Sequence, residues 1–245
     1  MIEVSHIHKA FGQEVVLHDV SFSLAPRQNL SVLGRSGCGK TTLLKILAGI
    51  LPADGGAFQM DGRDLLAVKP QDRGVVYLSQ EPLLFPHLNV FDNIAFGLRL
   101  RKVDKSTVRE KVTAMLEALG LPAMGRKMPT ELSGGQRQRV AFGRAIIIEP
   151  RVLLLEEPFG SLDVQTRHEM QGLFRRLSRD FGITSLFVTH DLKEALVMGD
   201  AIGRMDAGHL TVYPDRQAFI DDPASGVRAE QSFWTHIEDA DHESI

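Results

Sequence analysis

The residues GRSGCGKT, Gly34 to Thr41, fit the spacing G-x-x-x-x-G-K-[ST] and constrain the fold more than any other stretch. The run NLSVLG just before them reads as a buried strand that ends in glycine, and Lys40 to Ala48 reads as a helix. A glycine-rich turn between a strand and a helix directs backbone N–H groups inward at the positive end of the helix dipole. Such a turn is built to cradle phosphate oxygens. Lys40 is placed to reach β- and γ-phosphates, and the Thr41 hydroxyl to ligate Mg²⁺. The candidate nucleotide contacts are therefore Gly34, Arg35, Ser36, Gly37, Cys38, Gly39, Lys40, Thr41 and Thr42. Cys38 is either a thiol made reactive by the helix N-terminus or a small filler in a tight loop.

The rest of the chain alternates strands and helices around this loop. IEVSHIHKAF and DVSFSLAP alternate in the strand manner, GVVYLSQ reads as a buried strand ending at Gln80, and TSLFV as another. Helices are expected from near Gln136, over about 164–180 and from Leu192, with two short strands after that. From Val108 the apolar residues Val112, Met115, Leu116 and Leu119 keep helical spacing until Gly120 and Pro122 stop it. This alternation argues for an α/β fold with a mainly parallel sheet, interrupted by a mostly helical insert. The tail EDADHESI is acidic and expected to fray. A net charge of −3 gives no global attraction to nucleic acid, and the single cysteine excludes an internal disulfide and suits a reducing compartment. The N-terminus has no apolar core of a signal peptide, and no apolar run reaches the roughly 18 residues of a membrane span. A membrane role would thus come through a partner.

Two further stretches carry chemistry. LSGGQRQR, Leu132 to Arg139, places Ser133, Gly134, Gly135 and Gln136 at the start of a helix, a second anion cradle. One γ-phosphate does not need two cradles from one subunit, so the economical explanation is a second subunit; the alternative is an ordinary capped helix. VLLLEEPFGSLD, Val152 to Asp163, runs a buried strand into two adjacent glutamates and a proline that ends the ladder. Acidic residues at the end of a central strand face the edge where α/β sheets hold ligands.

Gly34–Thr41, Gln80, LSGGQRQRVAFGRA, LLLEEPFGSLD and the VTHD of Val188–Asp191 stand in the order and approximate spacing of the ATP-binding cassette (ABC) ATPases, and the resemblance covers about residues 1–219. It implies a P-loop NTPase (RecA-like) core, about 1–80 and 146–220, with an N-terminal antiparallel β subdomain, an inserted helical signature subdomain over about 81–145 and a tail over 221–245, all in one nucleotide-binding domain. It implies ATP and Mg²⁺ as cofactors. In the family an aromatic residue near the N-terminus stacks on adenine, which matches Phe11, with Val16 beside the base; the alternative for Phe11 is a plain core residue. Gln80 matches the glutamine that touches Mg²⁺, Asp163 the residue linking two active sites, and His190 the histidine on the γ-phosphate. Glu157 matches the carboxylate that orients the attacking water.

Glu156 departs from the family, which normally has aspartate to hold Mg²⁺ through water. Because Mg²⁺ demands near-ideal octahedral geometry, the longer side chain is expected to keep the role with altered metal affinity or turnover; the competing readings are a weakened ATPase and exchanged roles for Glu156 and Glu157.

LLFPHLNVFDNIAFGL resembles importer ATPases of bacteria that serve sugars, polyamines, metals or oxyanions; the overlapping EPLLFPHLNVF, Glu81 to Phe91, is proline-broken and apolar and is either local core of the insert or, as the resemblance implies, the groove that receives a helix of the membrane subunit. The expected protein is thus an ATP hydrolase coupled to transport. It pairs as a homodimer or with another ATPase subunit, works with permease subunits and an extracytoplasmic substrate-binding protein, and lies peripherally on the cytoplasmic face of the inner membrane without nucleic acid. The chain ends short of the small β-barrels that many such proteins carry, so none is expected. The rivals are an exporter or lipid-extraction ATPase, and a non-transport ABC ATPase acting on DNA or ribosomes. The second is disfavoured, because only about 90 residues separate Thr41 from Ser133, with no sustained heptads.

Overall fold

The computed structural model describes residues 1–230 and 232; the acidic tail EDADHESI lies outside the described residues. Strands β1 (Ile2–Phe11) and β2 (Glu14–Leu24) form a hairpin, and β4 (Gly55–Met60) and β5 (Arg63–Asp64) complete an antiparallel sheet in the order β2-β1-β4-β5. The sequence reading missed β4, whose GGAFQM carries only two large apolar side chains, Phe58 and Met60, both buried.

The second sheet holds six strands in the order β10-β9-β3-β8-β7-β6, where β3 is Asn29–Leu33, β6 Val75–Leu78, β7 Val152–Glu156, β8 Ser185–Thr189, β9 Ala201–Asp206 and β10 His209–Val212. Only the β9–β10 pair is antiparallel. The expected α/β architecture with an N-terminal antiparallel sheet is therefore present. Near-continuous apolar runs such as VLLL suit strands covered on both faces. Val152 and Leu154 pack with Leu43, Leu44 and Leu47 of α1 (Lys40–Ala48), while Leu153 and Leu155 point the other way.

That other face shares one core with α2 (Val90–Leu100), α3 (Lys105–Ala118), α4 (Gly134–Ile146) and α5 (Val164–Asp180), through Ile94, Val112, Phe142 and Phe174. The insert is thus welded to the sheet by apolar burial rather than tethered to it. Arg73 fastens the opposite side: its guanidinium donates to the carbonyls of Ile46 and Leu47 at the end of α1 and to those of Leu66 and Val68.

Three boundaries differ from expectation. β6 stops at Leu78, so Gln80 stands beyond the strand rather than at its end. α4 begins two residues before Gln136, because Ser133 and Gln136 exchange hydrogen bonds in a capping box that fixes the start. β7 continues one residue further and takes in Glu156.

Candidate nucleotide site

The parallel strands all end on one side of the sheet, and the motifs meet there. The turn after β3 leads into α1, Glu156 closes β7, His190 follows β8, and Gln80 lies two residues past β6. This carboxyl edge is where an open α/β sheet holds ligands. A cleft of about 420 Å³ opens on it, lined by Val16, Ser36, Gly37, Gly39, Lys40, Thr41, Thr42, Gln80, Glu156, Glu157 and Val188.

The loop needs its glycines for space. A side chain on Gly39 (φ 107°) would meet Leu17 Cδ2 at 2.8 Å and the Val16 carbonyl oxygen at 2.9 Å, and one on Gly34 would meet the Met205 carbonyl oxygen at 2.5 Å. Helices α2 to α5 are capped by the side chains of Asn89, Asp104, Ser133 and Asp163, and α6 (Leu192–Met198) by Asp191. Helix α1 starts at Gly39 with no side-chain cap, which leaves its first N–H groups directed into the loop. Lys40 is buried, and its Nζ donates to the carbonyls of Gly34 at 2.5 Å and Arg35 at 3.0 Å. Among the described residues no carboxylate lies within ion-pair distance of it. A buried cation met by two carbonyls and, at 4.0 Å, the Cys38 sulfur, with no carboxylate and beside an uncapped helix start, has the chemistry to receive an anion. The Cys38 thiol is buried under the loop, which favours its reading as a filler over a reactive thiol.

The two glutamates part company at the end of β7. Glu156 continues the face of Val152 and Leu154 toward α1, and its carboxylate accepts from the Thr41 hydroxyl on one oxygen and the Tyr77 phenol on the other. Burial, and then the bond to Glu156, push the Tyr77 phenol well above the usual tyrosine range. Glu157 lies past the strand in a left-handed conformation (φ 40°), which for a glutamate is strained. Its N–H donates to the Val188 carbonyl, and its Oε2 sits 3.0 Å from His190 Nδ1. A side chain on Gly160 would touch both Gln80 Nε2 and Glu157 Oε2, so those two groups face the same small space. Tyr77 was invisible to sequence reasoning, because one aromatic in an apolar strand carries no motif.

Other predicted residues lie elsewhere. Phe11 is 49 % exposed at the end of β1, outside the cleft lining, with Lys9 Nζ 5.4 Å from its ring centre; it is not core. Arg35 is exposed and contributes its carbonyl to Lys40. Ser133, Gly134, Gly135 and Gln136 do not line the cleft; a side chain on Gly135 would meet Thr166 Cγ2 at 2.8 Å, so their turn abuts the start of α5. There the Asp163 carboxylate accepts from Thr166, whose hydroxyl and N–H hold it below its ordinary range.

Between Gln80 and α2, Leu83 is 65 % exposed, whereas Leu84 packs against the large core. The groove expected over Glu81–Phe91 is therefore lined by only part of its apolar residues. Arg144 of α4 supports it, donating to the Leu83 carbonyl at 2.6 Å with its guanidinium 4.8 Å from the Phe85 ring centre. Among the described residues no helix is long and apolar enough to cross a membrane.

Comparison with known proteins places these observations. The chain is 43 % identical over 228 residues to the sulfate/thiosulfate import ATP-binding protein CysA 1 of Chromobacterium violaceum, covering 91 % of this chain and 64 % of that one. It is 44 % identical over 210 residues to the spermidine/putrescine import ATP-binding protein PotA of Bacteroides thetaiotaomicron (86 % and 45 %). It is 44 % identical over 208 residues to the molybdate/tungstate import ATP-binding protein WtpC of Thermococcus kodakarensis (84 % and 63 %). The chain thus spans less than two thirds of the length of these relatives. Residues 17–160 match the ABC transporter family, and with a P-loop NTPase fold built around the loop before α1, the chain is an ATP-binding member of the ABC transporter family.

Proposed function

We propose that this chain is the ATP-hydrolysing subunit of an importer. Two such subunits would meet head to tail, each nucleotide lying between the phosphate loop of one and the Ser133–Gln136 turn of the other. The observation that carries this reading is the separation of the two anion cradles. The uncapped start of α1 opens on the cleft, while the Ser133 turn lies outside its lining, beside the start of α5. A single chain therefore presents half of each site, and Asp163, on the same face as the Ser133 turn, would link the halves.

Within one site, Gly34–Thr42 and Lys40 would bind the phosphates, with Phe11 and Val16 at the base. Glu157, steadied by His190, would accept the proton of the attacking water. Thr41, Gln80 and Glu156 line the cleft with oxygen donors, the chemistry that suits Mg²⁺, and these three residues would hold it. Bound there, the metal would neutralise charge on the β- and γ-phosphate oxygens. The division into a core of about 1–80 and 146–220 with a signature subdomain of about 81–145 follows from the same reading. So do a permease docked near Leu83, an extracytoplasmic substrate-binding protein, and a peripheral place on the cytoplasmic membrane face. Relatives of nearly equal identity are named for sulfate, polyamine and molybdate import, so identity at this level does not select a cargo.

Glu157→Gln tests the proposal. This variant should bind ATP, hydrolyse it at least about 100-fold more slowly, and accumulate as a dimer in saturating Mg-ATP. Light scattering that finds only monomer would remove the sandwich arrangement.

A further inference from the structure

Glu156 is held at both carboxylate oxygens. Thr41, which grips one, belongs to the phosphate loop; Tyr77, which grips the other, belongs to no motif and does not line the cleft. Tyr77 is in register with Leu154 on the neighbouring parallel strand, so it shares the sheet face of Leu154 and Glu156. Two residues of strand, about 6.6 Å, separate Leu154 from Glu156. A tyrosine that leans along the strand spans that offset and delivers its hydroxyl to the carboxylate. Phenylalanine would fill the same volume and leave one carboxylate oxygen without this donor. An aspartate at position 156 would end one methylene short of both hydroxyls.

The length of Glu156 also makes a second donor useful. A glutamate has one more rotatable bond than an aspartate, so fixing its carboxylate costs more conformational entropy. One hydroxyl leaves the carboxylate free to swing about that contact; two donors on opposite oxygens define its plane.

We propose that Tyr77 is a positioning residue for Glu156, and that the phenol and the longer carboxylate act as a pair in setting the Mg²⁺ dependence of nucleotide binding. This rests on Glu156 being the metal-facing carboxylate of the proposed ATP site. The two members of the pair are then energetically coupled, and the effect of removing one depends on the presence of the other.

Tyr77→Phe, Glu156→Asp and the double variant test the pair in the whole chain. Calorimetric titration with a non-hydrolysable ATP analogue over a range of Mg²⁺ gives the metal concentration for half-maximal binding. Tyr77→Phe should raise it roughly tenfold when Glu156 is present, the size expected for losing a hydrogen bond to a charged group, and less than about twofold in the Glu156→Asp background. Thermal unfolding without nucleotide should follow the same pattern, with a drop of a few degrees in the first background and almost none in the second. Equal effects in both backgrounds, or no effect in either, would overturn the proposal and leave Tyr77 a packing residue. If the unsubstituted protein shows no Mg²⁺-dependent nucleotide binding, the ATPase reading itself fails, and the unfolding comparison alone still decides whether Tyr77 positions Glu156.

Discussion

His190 Nδ1 lies 3.0 Å from Glu157 Oε2, and the Glu157 N–H donates to the Val188 carbonyl two residues before that histidine. One strand end thus fixes both the backbone and the side chain of the carboxylate proposed to orient water. His190→Ala should therefore slow turnover by about 100-fold, with a smaller change in KM. Steady-state ATPase measurements check this, and a defect confined to KM would make His190 a binding residue only.

Lys40→Ala should lose about 1.5–3 kcal/mol of ATP affinity, the worth of a charge-assisted hydrogen bond. The folded chain should tolerate the change, since the lysine is satisfied only by two loop carbonyls and a distant thiol. Calorimetry of ATP binding together with a melting curve separates the two effects.

The segment after Gln80 makes opposite predictions for neighbouring leucines. Leu83 is exposed, so Leu83→Asp should leave folding and basal ATPase unchanged and abolish capture of the proposed permease subunits from membranes. Leu84 is partly buried against the core, so Leu84→Asp partly desolvates a charge and should destabilise the protein by about 1–3 kcal/mol. Equal melting temperatures for the two variants would show that the exposed and buried faces are wrongly assigned.

Glu194 is buried, and burial raises its pKa above the ordinary glutamate value, opposed by the hydrogen bond from Thr189. The folded protein therefore binds this proton more tightly than the unfolded chain. The stability that the neutral group contributes is complete below the unfolded pKa and is lost as pH rises through the higher folded one. Glu194→Gln keeps an acceptor for Thr189 and cannot ionise. Its melting temperature should gain on that of the unsubstituted protein as pH rises above the ordinary glutamate pKa, and parallel curves would disprove the coupling.

The phosphate loop, the glutamate pair and the Ser133 turn were legible because each combines residue types with a spacing that few other structures use. The starts of α1 and α5 followed from the loop glycine Gly39 and from Asp163, which stand at their N-caps. Tyr77 was not legible, since its significance is a register between β6 and β7, strands far apart in sequence. The opposite fates of Leu83 and Leu84 were hidden for the same reason: an irregular segment has no period, so only tertiary packing decides which leucine is covered. β4 was not legible because paired glycines and a glutamine leave only two large apolar side chains to mark it.

Glu157 adopts a left-handed backbone that glycine or asparagine would hold with less strain, a cost of order 1–3 kcal/mol for an ordinary residue. Optimising this sequence for heat resistance alone would drift toward those residues here and yield a hardier protein without the carboxylate proposed to orient water. A thermostabilisation campaign should therefore freeze position 157 at the outset, and a library ranked by melting temperature should be counter-screened for activity at this residue before any other.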